Sequence, residues 1–239
     1  MGKYDSYIAR VTASGNTFQE DVMSSTKRQA YEYIMNSPTK SDVSIFNIII
    51  NEQGKHEFIE VDKKVTIVSE KTGKTFHEKS VLFLPDEDEL IGTYMLYKNR
   101  MYLATEISDI EGYPQAFVEH CNYFLDIKVG EDQKIQTGTN SRGRPIFEYI
   151  TPTIKLPVKQ SSKIYSELNN SQVPLPEGAI MIKVPYHKDI KIKVNDEFFI
   201  HGDKIQVTTV SSDDLYFNSD GSLYGYYTVR GQKGDGVEK

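Results

Sequence analysis

The chain has few of the residues on which specialised chemistry usually depends. Tryptophan is absent, and Cys121 is the single cysteine among 239 residues, which excludes a disulfide framework and argues against a cysteine-rich zinc site. The longest apolar runs, such as SIFNIII, fall far short of the roughly 20 residues that span a bilayer. The first residues, MGKYDSYIAR, lack the apolar core of a secretory signal. We therefore expect a protein that folds in a cytosol.

Basic residues are also in the minority. Lys and Arg total 28 against 34 Asp and Glu, and the formal net charge of −6 gives no support for binding nucleic acid through phosphate neutralisation. The 16 tyrosines and 11 phenylalanines, within an apolar fraction of 38%, supply enough side chains for a packed core. This composition argues against global disorder.

The order of the predicted elements indicates a mainly β fold. Residues 21–36, DVMSSTKRQAYEYIMN, place Val22, Ala30 and Ile34 on one face at helical spacing, and Pro38 ends the run. After Pro38, strand-like runs alternate with turn signals at roughly 8- to 12-residue intervals, which is typical of all-β proteins. The fold class we predict is mainly β, with two small tandem antiparallel β-barrel or sandwich units and a short N-terminal helix.

Four segments divide the chain. An N-terminal arm and helix occupy residues 1–39, and a first β unit occupies residues 40–128. An irregular loop with edge strands follows at residues 129–173, and a second β unit with a frayed C-terminus occupies residues 174–239. Pro152 and Pro157 place the strands of the irregular segment at sheet edges, because proline cannot donate to a ladder.

The two β units read as an internal repeat. Residues 80–90, SVLFLPDEDEL, align with residues 180–190, IMIKVPYHKDI, so that Pro85 matches Pro185. After a slip of three residues, residues 95–107 align with residues 198–210, and Ala104 matches Val207. The two units are therefore expected to share their strand order. The general likeness of all β hairpins is the alternative explanation.

The core predicted for the second unit follows from alternation along its strands. In KIQVTTV, the apolar side chains share a face only if a bulge lies near Thr208 or Thr209. In DIKIKV, apolar residues alternate with lysines, as in a half-buried strand. The side chains expected to be largely buried are Ile190, Ile192, Val194, Phe199, Ile205, Val207, Val210 and Tyr227.

No sequence motif indicates catalysis, a metal or a cofactor. None of the five histidines pairs with another at i, i+4, and there is no nucleophile elbow or Walker loop. His120 and Cys121 are adjacent, so their side chains would point to opposite faces of a strand, and we expect Cys121 to be a buried structural residue. We expect no catalytic residue, no cofactor, no metal site and no enzymatic activity.

Segments of both halves resemble structural proteins of tailed bacteriophages. Residues 192–210, IKVNDEFFIHGDKIQVTTV, are similar to a strand, an N-D-x-F element, a glycine turn and a K-V-T strand of that family. Residues 94–109, YMLYKNRMYLATEISD, and residues 119–135, EHCNYFLDIKVGEDQKI, resemble its earlier strands. In the family's C-N-x-x-L-K-W pattern, this chain has Asp126 in place of the lysine and Ile127 in place of the tryptophan.

The resemblance implies a non-enzymatic virion structural protein of the phage neck, assembled in the host cytoplasm. Such a head–tail connector, head-closure or stopper protein forms a homo-oligomeric ring between portal and tail, helps to close the DNA channel and joins head to tail. The implied partners are further copies of the chain, the portal or adaptor protein, and tail proteins. At most weak passing contact with DNA is implied, with no membrane contact and no cofactor.

Two loops are candidates for contacts in such a ring. Asp86, Glu87, Asp88 and Glu89 lack the spacing of a calcium loop and are the candidate channel-facing loop, since an acidic lining would not hold DNA. A solvated turn is the plain alternative for these four carboxylates. The polar loop at residues 131–145, which carries Arg142 and Arg144, is the candidate partner-contact loop.

Two other functions remain open on the sequence alone. A tail-completion, tail-tube or baseplate component would use the same kind of small β unit. A soluble ligand- or carbohydrate-binding β module is a further alternative. Carbohydrate sites favour exposed aromatic platforms that usually include tryptophan, and the chain has none.

Overall fold

The computed structural model describes residues 18–51, 55–70, 78–85, 87, 91–110, 113–166, 171–174 and 178–234. Strands predominate, and the described residues contain one helix, α1 (Phe18–Asn36). The mainly β fold with a short N-terminal helix is therefore confirmed.

Helix α1 packs through a narrow face. Ala30 and Ile34 are fully buried, whereas Val22, predicted for the same face, is 47% exposed. The helix begins at Phe18 rather than at residue 21, and it ends before Pro38 as predicted. Two buried side chains near its C-terminal end thus attach it to the strands that follow.

Six strands form a closed barrel, the first barrel, in the order β1-β2-β3-β6-β5-β4, with β4 pairing back onto β1. Closure leaves no free sheet edge. Its core contains Val43, Ile45, Val81, Phe83, Met95, Tyr102, Ala104, Ala116 and Val118. The strands are β1 (Lys40–Ile50), β2 (His56–Glu70), β3 (Glu78–Leu82), β4 (Tyr94–Tyr97), β5 (Arg100–Ile110) and β6 (Tyr113–His120).

The remaining strands form a second sheet and two separate hairpins. The second sheet has the order β14-β15-β17-β13-β10-β7, with β16 added beside β17, and the hairpins are β8–β9 and β11–β12. The strands are β7 (Tyr123–Lys128), β8 (Gln133–Thr139), β9 (Pro145–Ile150), β10 (Thr153–Ser161), β11 (Lys163–Ser166), β12 (Ser171–Pro174), β13 (Ala179–Pro185), β14 (Glu197–Ile200), β15 (Asp203–Ser211), β16 (Leu215–Phe217) and β17 (Leu223–Lys233).

The boundary between the two β units differs from the one predicted. Strand β7 lies within residues 40–128, yet it pairs with β10 in the second sheet. Strand β10 lies within the segment predicted to be irregular, yet it joins β7 to β13. The first unit therefore ends at His120, and the second begins at Tyr123.

Pro157 explains why β10 was wrongly predicted to lie at a sheet edge. Residues 153–158 of β10 pair with β7, and residues 159–161 pair with β13. Pro157 thus has a paired strand on one side only, which suits a residue without an N–H donor. The proline correctly indicates that one side of the strand is locally unpaired. Strand β10 itself, however, lies between β7 and β13 and is not at the edge of the sheet.

The strand orders of the two units are the same. Read from its fourth strand, the first barrel runs β4-β5-β6-β3-β2-β1, and the second sheet runs β14-β15-β17-β13-β10-β7. The six strands of each unit can be numbered along the chain, leaving out β16 and the two separate hairpins. With this numbering, both sheets have the order 4-5-6-3-2-1. The predicted sharing of strand order is confirmed, with a second unit that begins earlier than predicted.

The hairpin between the fourth and fifth strands is repeated in backbone detail. Lys98 and Asn99 have φ values of 47° and 59°, and His201 and Gly202 have φ values of 52° and 88°. Two successive residues with positive φ define the type I′ turn, whose twist matches that of a two-stranded ribbon. The two hairpins therefore have the same turn in equivalent places.

A threonine bulge is also repeated. The pairing of β5 with β6 shifts register at Thr105, and the pairing of β15 with β17 shifts at Thr208. The hydroxyl of Thr105 donates to the carbonyl of Phe117 (3.4 Å), and that of Thr208 donates to the carbonyl of Arg230 (3.2 Å). The predicted bulge near Thr208 is confirmed.

The alignment proposed for the third strands is off by one residue. Val81 pairs with Ala116 in the first barrel, and Ile182 pairs with Val229 in the second sheet. Val81 and Ile182 are therefore equivalent positions, so Leu84 rather than Pro85 aligns with Pro185. The predicted alignment was based on matching two prolines that flank a turn. The strand pairing in the structure instead matches the inward-facing residues of the two units.

The predicted core of the second unit is partly correct. Ile190, Ile205 and Val207 are buried, whereas Ile192, Val210 and Tyr227 are half-buried. Val194 and Phe199 were wrongly predicted, since they are 52% and 66% exposed. Residues 191–196 form an irregular segment and a turn rather than a strand, so alternation does not bury Val194. On β14, Phe198 and Ile200 point inward in place of Phe199.

Candidate interaction surface

Strands β8 and β9 form a hairpin that is exposed over almost its whole length, here called the hairpin arm (residues 133–150). Every described residue in it except Gly138 is exposed. Its seven-residue strand extends about 20 Å at ~3.3 Å per residue. The arm lies within residues 129–173, the segment predicted to be an irregular loop with edge strands.

Both faces of the hairpin arm carry apolar side chains. Strand pairing places Ile135, Ile146 and Ile150 on one face and Phe147 and Tyr149 on the other. Their exposed fractions range from 43% for Ile135 to 70% for Tyr149. A ribbon with one core-facing side would bury one of these two sets, so the arm presents two uncovered apolar faces.

The turn of the hairpin arm holds the two predicted arginines. The side-chain oxygen of Asn140 accepts from the amides of Arg142 (3.0 Å) and Arg144 (2.9 Å). The amide of Gly143, at a φ of 72°, donates to the carbonyl of Asn140 (2.9 Å). Arg142 and Arg144 are exposed at the tip, within an ordered turn. Whether they contact a partner stays a prediction.

The two ends of the arm are held together at its base. The hydroxyl of Thr151 donates to the carboxylate of Asp132 (2.6 Å), and the amide of Val129 donates to the carbonyl of Pro152 (2.9 Å). These two bonds bring the start and end of the arm together. A short linker could therefore replace the arm without separating β7 from β10.

The first barrel and the second sheet are packed against each other. The hydroxyl of Tyr94, a buried residue, donates to the carbonyl of Pro157. The ammonium of Lys183 lies 2.6 Å from the carboxylate of Glu119. The backbones of Gly92 and Gly225 approach so closely that a Cβ on Gly92 would overlap the carbonyl oxygen of Gly225.

The same junction brings together three side chains with metal-binding chemistry. His56 at the start of β2 lies beside His187 and Asp189, which follow β13. The Nε2 atom of His56 lies 3.0 Å from the carboxylate of Asp189. More than 130 residues separate His56 from the other two, so no local spacing could have indicated the cluster.

The structure covers only part of the predicted channel-facing loop. Glu87 is half-buried, and its amide donates to the carbonyl of Leu84 (3.1 Å). Asp86, Asp88 and Glu89 lie outside the described residues. Their orientation toward a channel stays a prediction.

Cys121 is buried as predicted, at 8% exposure. Burial raises the pKa of its thiol far above the usual range, so the thiolate is scarce at neutral pH. We expect the native chain to react with a thiol-specific reagent at least ~100-fold more slowly than the chain unfolded in denaturant. Timed labelling with mass spectrometry checks this, and equal rates in the two states would show that Cys121 is accessible.

Comparison with protein-family models, with curated proteins and with solved structures found no match. Among the described residues, no helix is long and apolar enough to cross a membrane. The resemblance to phage neck proteins therefore rests on the sequence segments alone.

Proposed function

We propose that the chain is a structural subunit of the phage neck, which assembles into a homo-oligomeric ring between portal and tail. The hairpin arm is the observation that carries this proposal. A two-stranded ribbon alone is marginally stable in water, and this one exposes apolar side chains on both faces. An arm of this kind gains stability when a neighbouring protein covers it.

A ring also requires a receiving surface that differs from the arm. Head-to-tail contacts join one patch of a subunit to a different patch of the next, and a closing rotation makes a ring. Phe124 on β7 and Phe199 on β14 are 55% and 66% exposed on the two end strands of the second sheet. The hydroxyl of Tyr123 donates to the carbonyl of Phe199 (3.3 Å), so these end strands adjoin. We place the receiving surface there.

The balance of charge suits a conduit for DNA. A net charge of −6 gives the ring little attraction for phosphates, so a duplex could pass without being held by counterion release. In this proposal Arg142 and Arg144 at the arm's tip meet carboxylates of the adjacent protein. The partners are the neighbouring subunit, the portal or adaptor protein, and the tail proteins.

The double variant Phe147→Ser, Tyr149→Ser tests the arm. We expect the wild-type chain to form rings of uniform size, visible by electron microscopy and measurable by light scattering after size exclusion. The variant should stay monomeric, because one face of its arm is no longer apolar. It should still fold, since neither side chain is buried. In particles built with the variant, filled heads should fail to retain DNA or to join tails.

The matched control is Tyr216→Ser, Phe217→Ser, which removes an equally exposed aromatic pair from β16. This control should form rings as the wild type does. Rings formed equally well by the arm variant would remove the role of the arm. A wild-type chain that is monomeric both in solution and within assembled particles would refute the ring.

A further inference from the structure

The junction between the first barrel and the second sheet has the composition of a metal site. The ligand atoms of His56, His187 and Asp189 all lie within 4.8 Å of one another. Nε2 of His56 and Nδ1 of His187 lie 3.0 Å and 3.7 Å from the same oxygen, Oδ2 of Asp189. Adjacent ligands of a tetrahedral zinc ion, at bond lengths of about 2.0–2.1 Å, lie ~3.3 Å apart. The distances of 3.0 Å and 3.7 Å fall on either side of that value.

The backbone holds this cluster in place. The amide of Gly130 donates to the carbonyl of Asp189 (2.8 Å), which fixes the segment carrying two of the ligands to the end of β7. Gly130 has a φ of 69°, and a Cβ there would lie 3.3 Å from Cε1 of His56. Because Gly130 has no side chain, there is room for the His56 ring beside the carboxylate of Asp189.

Hydrogen bonds orient the three side chains. Nε2 of His56 is bonded to Oδ2 of Asp189 (3.0 Å), and a metal bound between these two atoms would displace the proton that they share. The amide of Asp189 donates to Nδ1 of His187 at 3.3 Å, so this nitrogen carries a lone pair and no proton. A bound metal would accept that lone pair and replace the long hydrogen bond from the amide of Asp189.

We propose that His56, His187 and Asp189 bind a divalent transition-metal ion, with zinc as the best fit, at the joint between the two β units. The side chains are 10%, 17% and 26% exposed, so the site is sheltered but reachable. Three protein ligands leave a fourth position for water. Two imidazoles and a carboxylate suit zinc better than calcium or magnesium, which favour oxygen ligands. This inference is independent of the ring.

The ion would connect distant parts of the chain. His56 belongs to the first barrel, and the other two ligands belong to the second unit. A metal that binds the folded state and not the unfolded one raises thermal stability by mass action. At a free zinc concentration 100-fold above the dissociation constant, we expect the midpoint of unfolding to rise by roughly 5–10 °C.

Calorimetric titration of the metal-free full chain with zinc chloride tests the site. We expect one ion per chain with a micromolar or tighter dissociation constant. Asp189→Asn and His187→Gln should each weaken binding at least ~10- to 100-fold. The control His201→Gln removes an exposed histidine of the second unit and should bind zinc as the wild type does. Cobalt in place of zinc should give the visible absorption of a four-coordinate ion.

Two results would overturn the proposal. One is the absence of saturable zinc binding by the wild-type chain. The other is wild-type affinity in both Asp189→Asn and His187→Gln, which would place any bound zinc elsewhere. Circular dichroism establishes that each variant is folded, and Asp189→Asn, which is nearly isosteric, provides the test if the histidine variant does not fold.

Discussion

Gly92→Ala is expected to destabilise the protein by about 4 kcal/mol. Gly92 has a φ of 93°, and a side chain in such a conformation costs of order 1–3 kcal/mol. Its new methyl group would also overlap the carbonyl oxygen of Gly225 across the junction. That carbonyl accepts a hydrogen bond from the amide of Tyr186 (2.8 Å), so it cannot move away freely. Overpacking adds about 1–3 kcal/mol, and the sum is a large part of ordinary domain stability.

Gly202→Ala is the matched control for this prediction. Gly202 has a similar φ of 88°, but nothing lies within 4 Å of a Cβ placed there. Only the backbone strain remains, and we expect a loss of roughly 1 kcal/mol. Urea unfolding of both variants measures the difference. Equal losses would mean that the two β units are not in close contact at Gly92.

Phe198→Ala is expected to lower the free energy of unfolding by about 3–5 kcal/mol. Phe198 is 7% exposed and belongs to the core of the second unit, and truncating a buried phenylalanine removes its burial and leaves a cavity. The adjacent Phe199 is 66% exposed, so Phe199→Ala should change stability by no more than ~0.5 kcal/mol. The two variants make the same chemical change at neighbouring positions.

Denaturant unfolding of the two purified variants checks this contrast. A large loss for Phe199→Ala and a small one for Phe198→Ala would mean that β14 is turned the other way. Ring formation gives a second measurement. If Phe199 lies in the receiving surface, Phe199→Ala should reduce assembly while the subunit remains folded.

The sequence predicted most of the fold because turns and alternation are local signals. The helix, the β-rich remainder and the bulge at Thr208 all follow from residues close together in the chain. The face of β14 could not be predicted in this way. EFFI has three successive apolar residues, and only pairing of Phe198 with Ile205 places one phenylalanine inside and the next outside.

The candidate sites were harder to predict from the sequence than the fold was. The loop at residues 131–145 was predicted to be irregular because its residues are polar, whereas most of it belongs to the ordered hairpin arm. Its contact with a partner stays a prediction. The histidine and aspartate cluster depends on folding, which joins the start of β2 to the segment after β13. Strand β7 was assigned to the wrong unit because consecutive strands usually pair, and β6 and β7 do not.

The shared strand order suggests that the chain arose by duplication of a six-stranded ancestor and that the copies then diverged unequally. The first and second strands of the first copy are joined by residues 51–55, and those of the second copy by residues 129–152, which include the hairpin arm. Strands β11, β12 and β16 are likewise additions to the second copy. The first barrel therefore shows the shared six-strand pattern without these additions, and the second unit shows the same pattern with the hairpin arm and three further strands inserted into it.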